Sequence, residues 1–257
     1  YKTTLPFHLI IIDQKSDDGT REMVQEFAKN HDNVTLILLE ENLGVSGGRA
    51  KAVEFAKHDY LAFIDNDMVF APGYFEHMIE KMQQDSELAG IFAKVVLPNS
   101  KIEVNTPTLS EENNWLIFND EDRGKNFKDK STLNFKDCEW IPMGVSLWKK
   151  SVLKEIKIDA DLIGAYEDND YTYRVHKTGY KLSNCPKSLV LHIKAEFTKS
   201  IADKNYTEGR FNPDKLRFAV KHFYQKHNKY LAFGDINGHV KYLGFNSTEE
   251  YINFLKS

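Results

Sequence analysis

Apolar runs alternate with helix-like patterns over the first third of the chain. Residues 9–12, 34–39 and 60–64 are short and almost continuously apolar, and such runs predict buried strands. Residues 20–29 and 49–57 carry apolar side chains at helical spacing, which predicts a helix after each of the first two strands. Strands and helices that alternate in this way are typical of a parallel sheet covered by helices on both faces. The pattern therefore indicates an α/β fold.

The pattern changes after residue 97. Residues 98–137 are rich in Asn, Lys, Asp, Glu and Ser, and a polar stretch of this length predicts a functional loop or a flexible insertion. Helical and strand patterns return beyond it. They predict a helix over 167–178, a strand over 188–193 and a further helix that opens at residues 212–213.

The composition narrows the class of protein. The chain has 257 residues, of which 41% are hydrophobic, 28% charged and 12% aromatic, which is typical of a folded globular protein. Its formal net charge of −4 argues against a general nucleic-acid binder, because such proteins carry a basic surplus. No apolar run is long enough to span a membrane. Cys138 and Cys185 match neither a disulfide framework nor a close-spaced zinc site, so we interpret them as buried or reduced thiols in a cytoplasmic protein.

Carboxylates follow two of the predicted strands. Asp13 and Asp65 come directly after apolar runs, and ligands of open α/β sheets bind beyond the carboxyl ends of the strands. The chain contains four Asp-x-Asp triplets, at residues 65–67, 120–122, 159–161 and 168–170. Only the first directly follows a predicted buried strand, where two carboxylates suit Mg²⁺ or Mn²⁺. The alternative is an ordinary turn or helix-capping pair.

Four polar segments follow one another in a distinctive order, at residues 13–20, 42–49, 64–67 and 167–174. This succession resembles the family 2 glycosyltransferases of GT-A fold, and the resemblance extends from about residue 9 to residue 192. Members of that family are inverting enzymes that use nucleotide-diphosphate sugars. The resemblance implies an α/β GT-A fold with a mostly parallel central sheet and helices on both faces. It also implies a hexosyl- or N-acetylhexosaminyltransferase.

The resemblance assigns three residues to the nucleotide. Asp13 matches the aspartate that accepts a hydrogen bond from the imide N–H of a uracil-type base. Arg49 matches an arginine near the nucleotide, where a guanidinium suits a base edge or a phosphate. Asp65 would bind the ribose hydroxyls or a water on the metal. On the residues alone, Asp13 is equally well an ordinary turn residue at a strand end.

The resemblance also assigns the metal and the base. Asp67 would bind Mn²⁺ or Mg²⁺, and His192 matches a further metal ligand found in some members. Asp168 matches the general base, which deprotonates the acceptor hydroxyl as it attacks the anomeric carbon. Each residue also has an ordinary interpretation: His192 as a core or loop histidine, and Glu167 and Asp168 as an acidic first helical turn. Arg174 is explained by a surface ion pair.

The same resemblance divides the chain into parts. Residues 1–97 would form the nucleotide-sugar-binding half of the domain, and residues 98–209 the acceptor-side half with the catalytic base. Residues 210–257 would form a helical extension. Within the second half, the polar stretch 98–137 is expected to be a loop or insertion. We interpret its apolar cluster 115–118 either as a mobile flap over the acceptor or as an anchor to the core.

The expected partners follow from the family. The donor is expected to be a UDP-sugar and the acceptor a glycan, a lipid-linked sugar or a protein, with no nucleic acid. A cytoplasmic location is expected, including the inner face of the membrane. One helix carries a basic face formed by Lys215, Arg217, Lys221 and Lys226. This face would either contact anionic lipids or lie in solvent.

The sequence departs from the family pattern at its start. Members begin with a strand and a helix before the strand that ends at Asp13, and here only residues 1–8 precede that strand. In the family sheet the further strand lies between the strands that end at Asp13 and Asp65. Without it, two inner edges would remain unpaired, so we expect a preceding or a different segment to fill the position.

Two other functions remain open at this point. A sugar-nucleotide pyrophosphorylase or nucleotidyltransferase shares the sheet, but uses a Gly-rich N-terminal loop that this chain does not show. A non-catalytic carbohydrate-binding module could keep the fold without the chemistry. The carboxylates Asp65, Asp67 and Asp168 argue against such a module.

Overall fold

A computed structural model describes residues 3–162, 165–193 and 212–257 of the chain. The strands are β1 (Leu9–Gln14), β2 (Val34–Leu39), β3 (Tyr60–Ile64), β4 (Met68–Phe70), β5 (Leu88–Val96), β6 (Ile102–Val104), β7 (Pro107–Glu112), β8 (Trp115–Asp120), β9 (Asp137–Cys138), β10 (Val145–Lys149), β11 (Lys181–His192) and β12 (Tyr230–Phe233). The helices are α1 (Thr20–Lys29), α2 (Gly44–Glu54), α3 (Tyr74–Gln84), α4 (Lys150–Glu155), α5 (Glu167–Lys177), α6 (Pro213–His227), α7 (Ile236–Tyr242) and α8 (Thr248–Lys256).

The described strands form three sheets. The largest has the order β3-β10-β5-β11-β4, with β6 beside β5 and β9 beside β11. Strands β1 and β2 form a separate parallel pair, and β12, β8 and β7 form a three-stranded sheet. The three strands and two helices predicted for the first third of the chain are all present, although α2 begins five residues earlier, at Gly44.

The α/β class is confirmed, but the largest sheet is mixed rather than mostly parallel. Strands β5 and β11 are parallel, whereas β10 runs antiparallel to both of its neighbours, β3 and β5. Strand β4 also runs antiparallel to β11. An apolar run shows that a strand is buried but not in which direction it runs, so the hydrophobic pattern could not distinguish these arrangements.

The main core is centred on β5, whose nine residues are all buried. Helix α3 packs against β5 and β11 and buries Tyr74, Met78 and Met82. These three residues lie four positions apart and therefore share one face of the helix. Full burial of a methionine side chain such as Met78 or Met82 stabilises the fold by about 1.5–3 kcal/mol. This core holds β3, β4 and β11, whose ends carry the candidate site.

The strand pair β1–β2 is less deeply packed. The four residues Leu9, Ile10, Ile11 and Ile12 are only partly buried. In the described part of the chain, no strand pairs with β1 on the side away from β2, or with β3 on the side away from β10. The family pattern has a further strand between β1 and β3. No described segment of this chain occupies that position.

Strands occupy the polar stretch 98–137, where a loop or flexible insertion was expected. The stretch contains β6, β7 and β8, and two of its carboxylates, Asp120 and Asp122, are buried within it. Asp120 Oδ2 accepts hydrogen bonds of 2.9 Å from the backbone N–H groups of Asn105 and Thr106. Asp122 Oδ2 accepts from the Asn105 amide at 2.6 Å. These internal hydrogen bonds allow so polar a stretch to fold, because buried polar groups need partners.

The apolar cluster 115–118 is an anchor and not a flap. It lies in β8, the middle strand of the three-stranded sheet, between β7 and β12. Trp115, Leu116 and Phe118 are buried in a second hydrophobic core. The composition of the surrounding stretch suggested exposure, but the partners that bury this cluster come from the far end of the sequence.

Those partners form the C-terminal part of the structure. Helices α6, α7 and α8 pack around β12, which pairs in parallel with β8. Residues 210–257 were expected to form a helical extension. They also contribute the strand β12, which joins β7 and β8 of the polar stretch in one sheet. No helix in the described ranges is long and apolar enough to cross a bilayer.

The basic face of α6 is partly engaged inside the fold. Arg217 Nε donates to the Leu243 carbonyl at 3.0 Å. Lys226 Nζ is ion-paired with Asp159 and Asp170. These two cations are used in packing α6 against its neighbours, so the four residues do not present one common face to a lipid surface.

Candidate active site

The ends of β1 and β2 meet at the N-terminus of α2. Gln14 Oε1 accepts a hydrogen bond of 3.0 Å from the Leu43 N–H. Gly48 packs closely on the same Gln14 side chain, since a Cβ there would lie 3.1 Å from Gln14 Nε2. Ser46 Oγ donates to the Leu162 carbonyl at 2.8 Å. The buried first turns of α2 therefore bring the two strand ends close to the segment that leads into α5.

Asp13 is buried at the end of β1. Its Oδ2 accepts from the Ser16 N–H at 3.4 Å and lies 3.8 Å from Arg21 Nε. Its Oδ1 is buried and has no hydrogen-bond partner among the described residues. A buried carboxylate oxygen without a donor is unusual, because such atoms are nearly always satisfied. The arrangement leaves Asp13 able to accept an N–H, as a nucleobase site requires.

Arg49 joins two of the predicted site residues. Its Nη2 donates to Asp65 Oδ1 at 3.0 Å and its Nη1 donates to Asp168 Oδ1 at 2.7 Å. The guanidinium is buried, and Glu167 Oε1 lies 3.7 Å from Nη1. Arg49 was predicted to contact a base edge or a phosphate. Here it connects the carboxylate at the end of β3 with the carboxylate in the first turn of α5.

The environment of Asp168 makes it a stronger base than an ordinary aspartate. Burial, together with the nearby carboxylates of Glu167 and Asp65, raises the pKa of Asp168 to about 6, in spite of the opposing effect of Arg49. The Met143 backbone N–H donates to this carboxylate and favours its ionised form. A carboxylate with a pKa near 6 is mostly ionised at neutral pH, yet accepts a proton more readily than one near 4.

Gly144 is a site residue that the sequence analysis missed. Its carbonyl accepts from the Asp65 N–H at 2.9 Å, and a Cβ at this position would overlap the Asp65 carboxylate. Only glycine therefore lets the segment before β10 approach Asp65 so closely. A glycine within an otherwise apolar strand pattern is a recognised sign of close backbone approach, and this signal was available in the sequence.

Strand pairing brings Asp67 and His192 together. The antiparallel register of β4 and β11 places His192 opposite Met68, and the Ile193 N–H donates to the Asp67 carbonyl at 2.9 Å. As a result His192 Nε2 lies 3.1 Å from Asp67 Oδ2. The two residues assigned to a metal are thus neighbours in space, although 125 positions separate them in the chain.

Glu103, on β6, is the second residue that the sequence analysis missed. Its Oε2 lies 2.6 Å from His192 Nδ1. Burial alone would lower the pKa of His192, but the hydrogen bonds to Asp67 and Glu103 raise it to about 9. No sequence signal marks Glu103, because it lies in the polar stretch and contacts the site only through the pairing of β6 with β5.

Asp67 and His192 fit a divalent cation that has few protein ligands. Glu103 on Nδ1 corresponds to the outer carboxylate that commonly orients a metal-bound histidine. In residues 3–162, 165–193 and 212–257, no three His, Cys, Asp or Glu side chains converge into a complete metal cage. Mg²⁺ is commonly bound by one or two carboxylates together with substrate phosphates and water. The pair therefore fits a site completed by a diphosphate.

Asp170 has a structural role despite its place in the same triplet as Asp168. It is buried and accepts from Arg174 Nη2 at 2.7 Å, with His227 Nε2 at 2.8 Å and Lys226 nearby. These groups hold the pKa of Asp170 far below its usual range against the effect of burial. The ion pair expected for Arg174 is present, but it is not the surface pair that was predicted, because its partner Asp170 is buried.

A protein-family model matches the part of the chain that contains four of the predicted site residues. The family model for glycosyl transferase family 2 matches residues 2–143. The chain belongs to glycosyl transferase family 2. The match includes Asp13, Arg49, Asp65 and Asp67 of this family 2 chain, whereas the remaining predicted site residues follow it in the sequence.

Two bacterial relatives illustrate the similarity. TuaG of Bacillus subtilis, a glycosyltransferase named for teichuronic acid biosynthesis, is 36% identical over 80 residues, which cover 31% of this chain and 32% of TuaG. A poly-β-1,6-N-acetyl-D-glucosamine synthase of Staphylococcus epidermidis is 27% identical over 183 residues, which cover 70% of this chain and 41% of the synthase. The chain thus matches less than half the length of either relative.

A solved structure supports the GT-A fold of this family 2 chain. The structure of GalNAc-T7, crystallised with UDP, GalNAc and Mn²⁺, matches with a TM-score of 0.60 at 15% identity. The match covers 96% of this chain and 50% of that one. At this level of identity the likeness concerns the fold alone, and it confirms the predicted GT-A fold.

Proposed function

We propose that this chain carries the catalytic site of a metal-dependent inverting glycosyltransferase. It transfers a hexosyl or N-acetylhexosaminyl group from a UDP-sugar to an acceptor hydroxyl of a glycan. The observation that carries the proposal is the bridge that Arg49 makes between Asp65 and Asp168. This bridge supports the proposal, because it connects Asp168, whose pKa is raised, to the carboxylate at the strand end proposed for the donor.

The proposed reaction is a single displacement at the anomeric carbon. Asp168 accepts the proton of the acceptor hydroxyl while the hydroxyl oxygen attacks from the face opposite the diphosphate. The carbon–oxygen bond to the diphosphate breaks as the new bond forms, so the configuration inverts. The raised pKa of Asp168 suits this role, because a general base works best when its pKa lies near the working pH.

The donor is held at the strand ends. Asp13 accepts the imide N–H of the uracil base with the oxygen that has no partner in the described structure. Asp65 binds the ribose hydroxyls, and Asp67 and His192 would hold the divalent cation. A bound cation neutralises charge on the departing diphosphate. The choice of UDP and N-acetylhexosamine is supported by the names of the staphylococcal synthase and of GalNAc-T7.

The test is a product analysis. The purified chain is incubated with UDP-GlcNAc, UDP-GalNAc or UDP-glucose and oligosaccharide acceptors, with and without Mn²⁺. We expect UDP release that depends on both metal and acceptor, and a product whose anomeric proton coupling in NMR shows a β-linkage from the α-linked donor. A product that retains the donor configuration would contradict the inverting mechanism.

The same assay separates the two alternatives. A nucleotidyltransferase would form a UDP-sugar from UTP and a sugar 1-phosphate, with release of pyrophosphate. A carbohydrate-binding module would bind oligosaccharides without any turnover of the donor. The cytoplasmic location remains a prediction from the sequence.

A further inference from the structure

A cleft of about 620 Å³ opens beside Asp168, on the side of the C-terminal part of the structure. Its volume lies within the ~300–1,000 Å³ typical of small-molecule sites. Its lining includes Trp140, Tyr166, Phe233, His239, Tyr242 and Asn169. Three of these residues come from β12 and α7, beyond the residues that match the family model. The cleft therefore joins the proposed base to the C-terminal part of the structure, which follows the residues matched by the family model.

The aromatic rings of the cleft are held in fixed positions. The Phe233 ring lies 5.8 Å from the Trp140 ring at 85° and 6.2 Å from the Tyr166 ring at 29°. Trp140 Nε1 donates to the carbonyls of Thr108 and Asn119, both at 3.1 Å. Since the indole N–H is already bonded, Trp140 offers the cleft an apolar surface. Rings fixed in this way can pack on an apolar ligand face without further ordering.

One polar group in the cleft lacks a partner. Asn169 is 3% exposed, and its side-chain Nδ2 has no hydrogen bond in the described parts of the chain. It follows Asp168 directly in α5. A buried amide without a partner is costly in free energy, so its presence next to the base indicates a ligand atom that accepts a hydrogen bond.

The charges of the cleft disfavour an anionic ligand. Asp120, Glu167 and Asp168 line it, and Arg123 is the cation that the described lining contributes. Burial lowers the pKa of His239 to about 4, so this imidazole is uncharged at neutral pH. A ligand with phosphate or uronate groups would face carboxylates here, whereas a neutral sugar would not.

We propose that this cleft is the acceptor subsite and that it binds a terminal, uncharged pyranose of a glycan. The C–H face of the sugar packs on the rings of Phe233, Tyr166 and Tyr242. Asn169 Nδ2 donates to a sugar oxygen, and the hydroxyl to be glycosylated points toward Asp168. This assignment rests on the proposed glycosyltransferase function and adds the chemical class of its acceptor.

The test measures glycan binding directly, without turnover. Cellotetraose and chitotetraose are added to the full chain in the presence of UDP and Mn²⁺, and saturation-transfer NMR records which sugar protons contact the protein. We expect transfer to ring C–H protons of the terminal residue. Tyr242→Ala should weaken binding about 3- to 10-fold, as expected for the loss of one aromatic contact. The matched control is Phe218→Ala, which changes a similarly exposed aromatic residue of α6 outside the cleft. This variant should bind the glycan normally.

A second variant tests the amide. Asn169→Leu removes a buried donor that has no partner, so the thermal stability of the free protein should be kept or raised. Glycan binding should nevertheless fall, about fivefold or more for a lost hydrogen bond of about 1 kcal/mol. Unchanged glycan binding in Asn169→Leu and in Tyr242→Ala would overturn the proposal.

The remaining outcomes keep this proposal separate from the proposed function. UDP affinity, measured by calorimetry with Mn²⁺, tests the proposed donor site and does not depend on the acceptor cleft. Normal UDP binding together with no saturation transfer to either tetrasaccharide would overturn the acceptor subsite and leave the glycosyltransferase proposal standing. Tighter binding of a tetragalacturonate than of both neutral probes would also overturn it. Tetrasaccharide binding in the absence of any UDP affinity would support the subsite and contradict the donor assignment.

Discussion

Arg49 Nη1 lies 2.7 Å from Asp168 Oδ1, although 119 positions separate the two residues in the chain. The contact joins α2, which follows the nucleotide-side strands, to α5, which carries the proposed base. The guanidinium is buried and always charged, so it favours the ionised carboxylate over the protonated one. The element proposed for the donor is thus joined by one ion pair to the element proposed for the acceptor.

The first prediction concerns the base itself. Asp168→Asn should lower the transfer rate by at least about a hundredfold, because an amide cannot accept the proton of the acceptor hydroxyl. UDP affinity in the presence of Mn²⁺ should change little. The matched control is Asp161→Asn, an exposed aspartate of another Asp-x-Asp triplet, which should retain normal turnover. Near-normal turnover of the Asp168→Asn variant would remove Asp168 from the reaction.

The second prediction separates Asp170 from Asp168. Asp170→Asn leaves the charges of Arg174 and Lys226 without their shared carboxylate, which also contacts His227 Nε2. Breaking a buried ion pair in this way costs about 3–5 kcal/mol. Urea denaturation should therefore show a large loss of stability for Asp170→Asn and a small one for Asp168→Asn. Equal stabilities of the two variants would contradict the structural role of Asp170.

The third prediction is a pH profile. With a pKa of about 6, Asp168 becomes protonated as the pH falls through this value, and kcat/KM should decline on the acid side with that apparent pKa. Arg49 opposes the rise in this pKa, so Arg49→Gln should move the acid limb to higher pH and reduce activity at neutral pH. An acid limb that stays in place in the variant would show that another group is being titrated.

The fourth prediction concerns the metal site. Asp67→Asn should weaken UDP binding chiefly when Mn²⁺ is present. Glu103→Gln removes the carboxylate that faces His192 Nδ1, and loss of such an outer partner lowers metal affinity about 10–100-fold. Calorimetry of UDP with and without Mn²⁺ measures both effects. Wild-type affinity of either variant in the presence of Mn²⁺ would exclude that residue from the metal site.

The fifth prediction concerns Gly144. It is not among the glycines with positive φ, so alanine is compatible with its backbone and acts only through its Cβ. That Cβ overlaps the Asp65 carboxylate, which must turn away from Arg49. Gly144→Ala should reduce kcat/KM about tenfold or more, because small displacements of a site residue are costly, while the fold is preserved. Wild-type kinetics of the Gly144→Ala variant would show that the Asp65 carboxylate can accommodate the added Cβ without loss of function.

The order of motifs along the chain was sufficient to predict the family and the GT-A fold. Asp13, Asp65 and Asp67 could be chosen because each lies at or just after the end of a buried apolar run. Strand ends are local features, and ligands of such sheets bind there. The burial of β5 did not follow from the pattern, since this strand buries Lys94 among its nine residues.

Only the tertiary structure decided how these residues combine. Glu103 meets His192, and Gly144 meets Asp65, through strand pairings between distant parts of the chain. The cluster 115–118 is buried because β12 pairs with β8, and nothing within the polar stretch itself indicates that partner. Hydrophobic pattern shows that a segment must be buried, but the element that buries it is set by the packing of the whole fold. For the same reason the cleft beside Asp168 could not be read from the sequence, since its walls come from segments far apart in the chain.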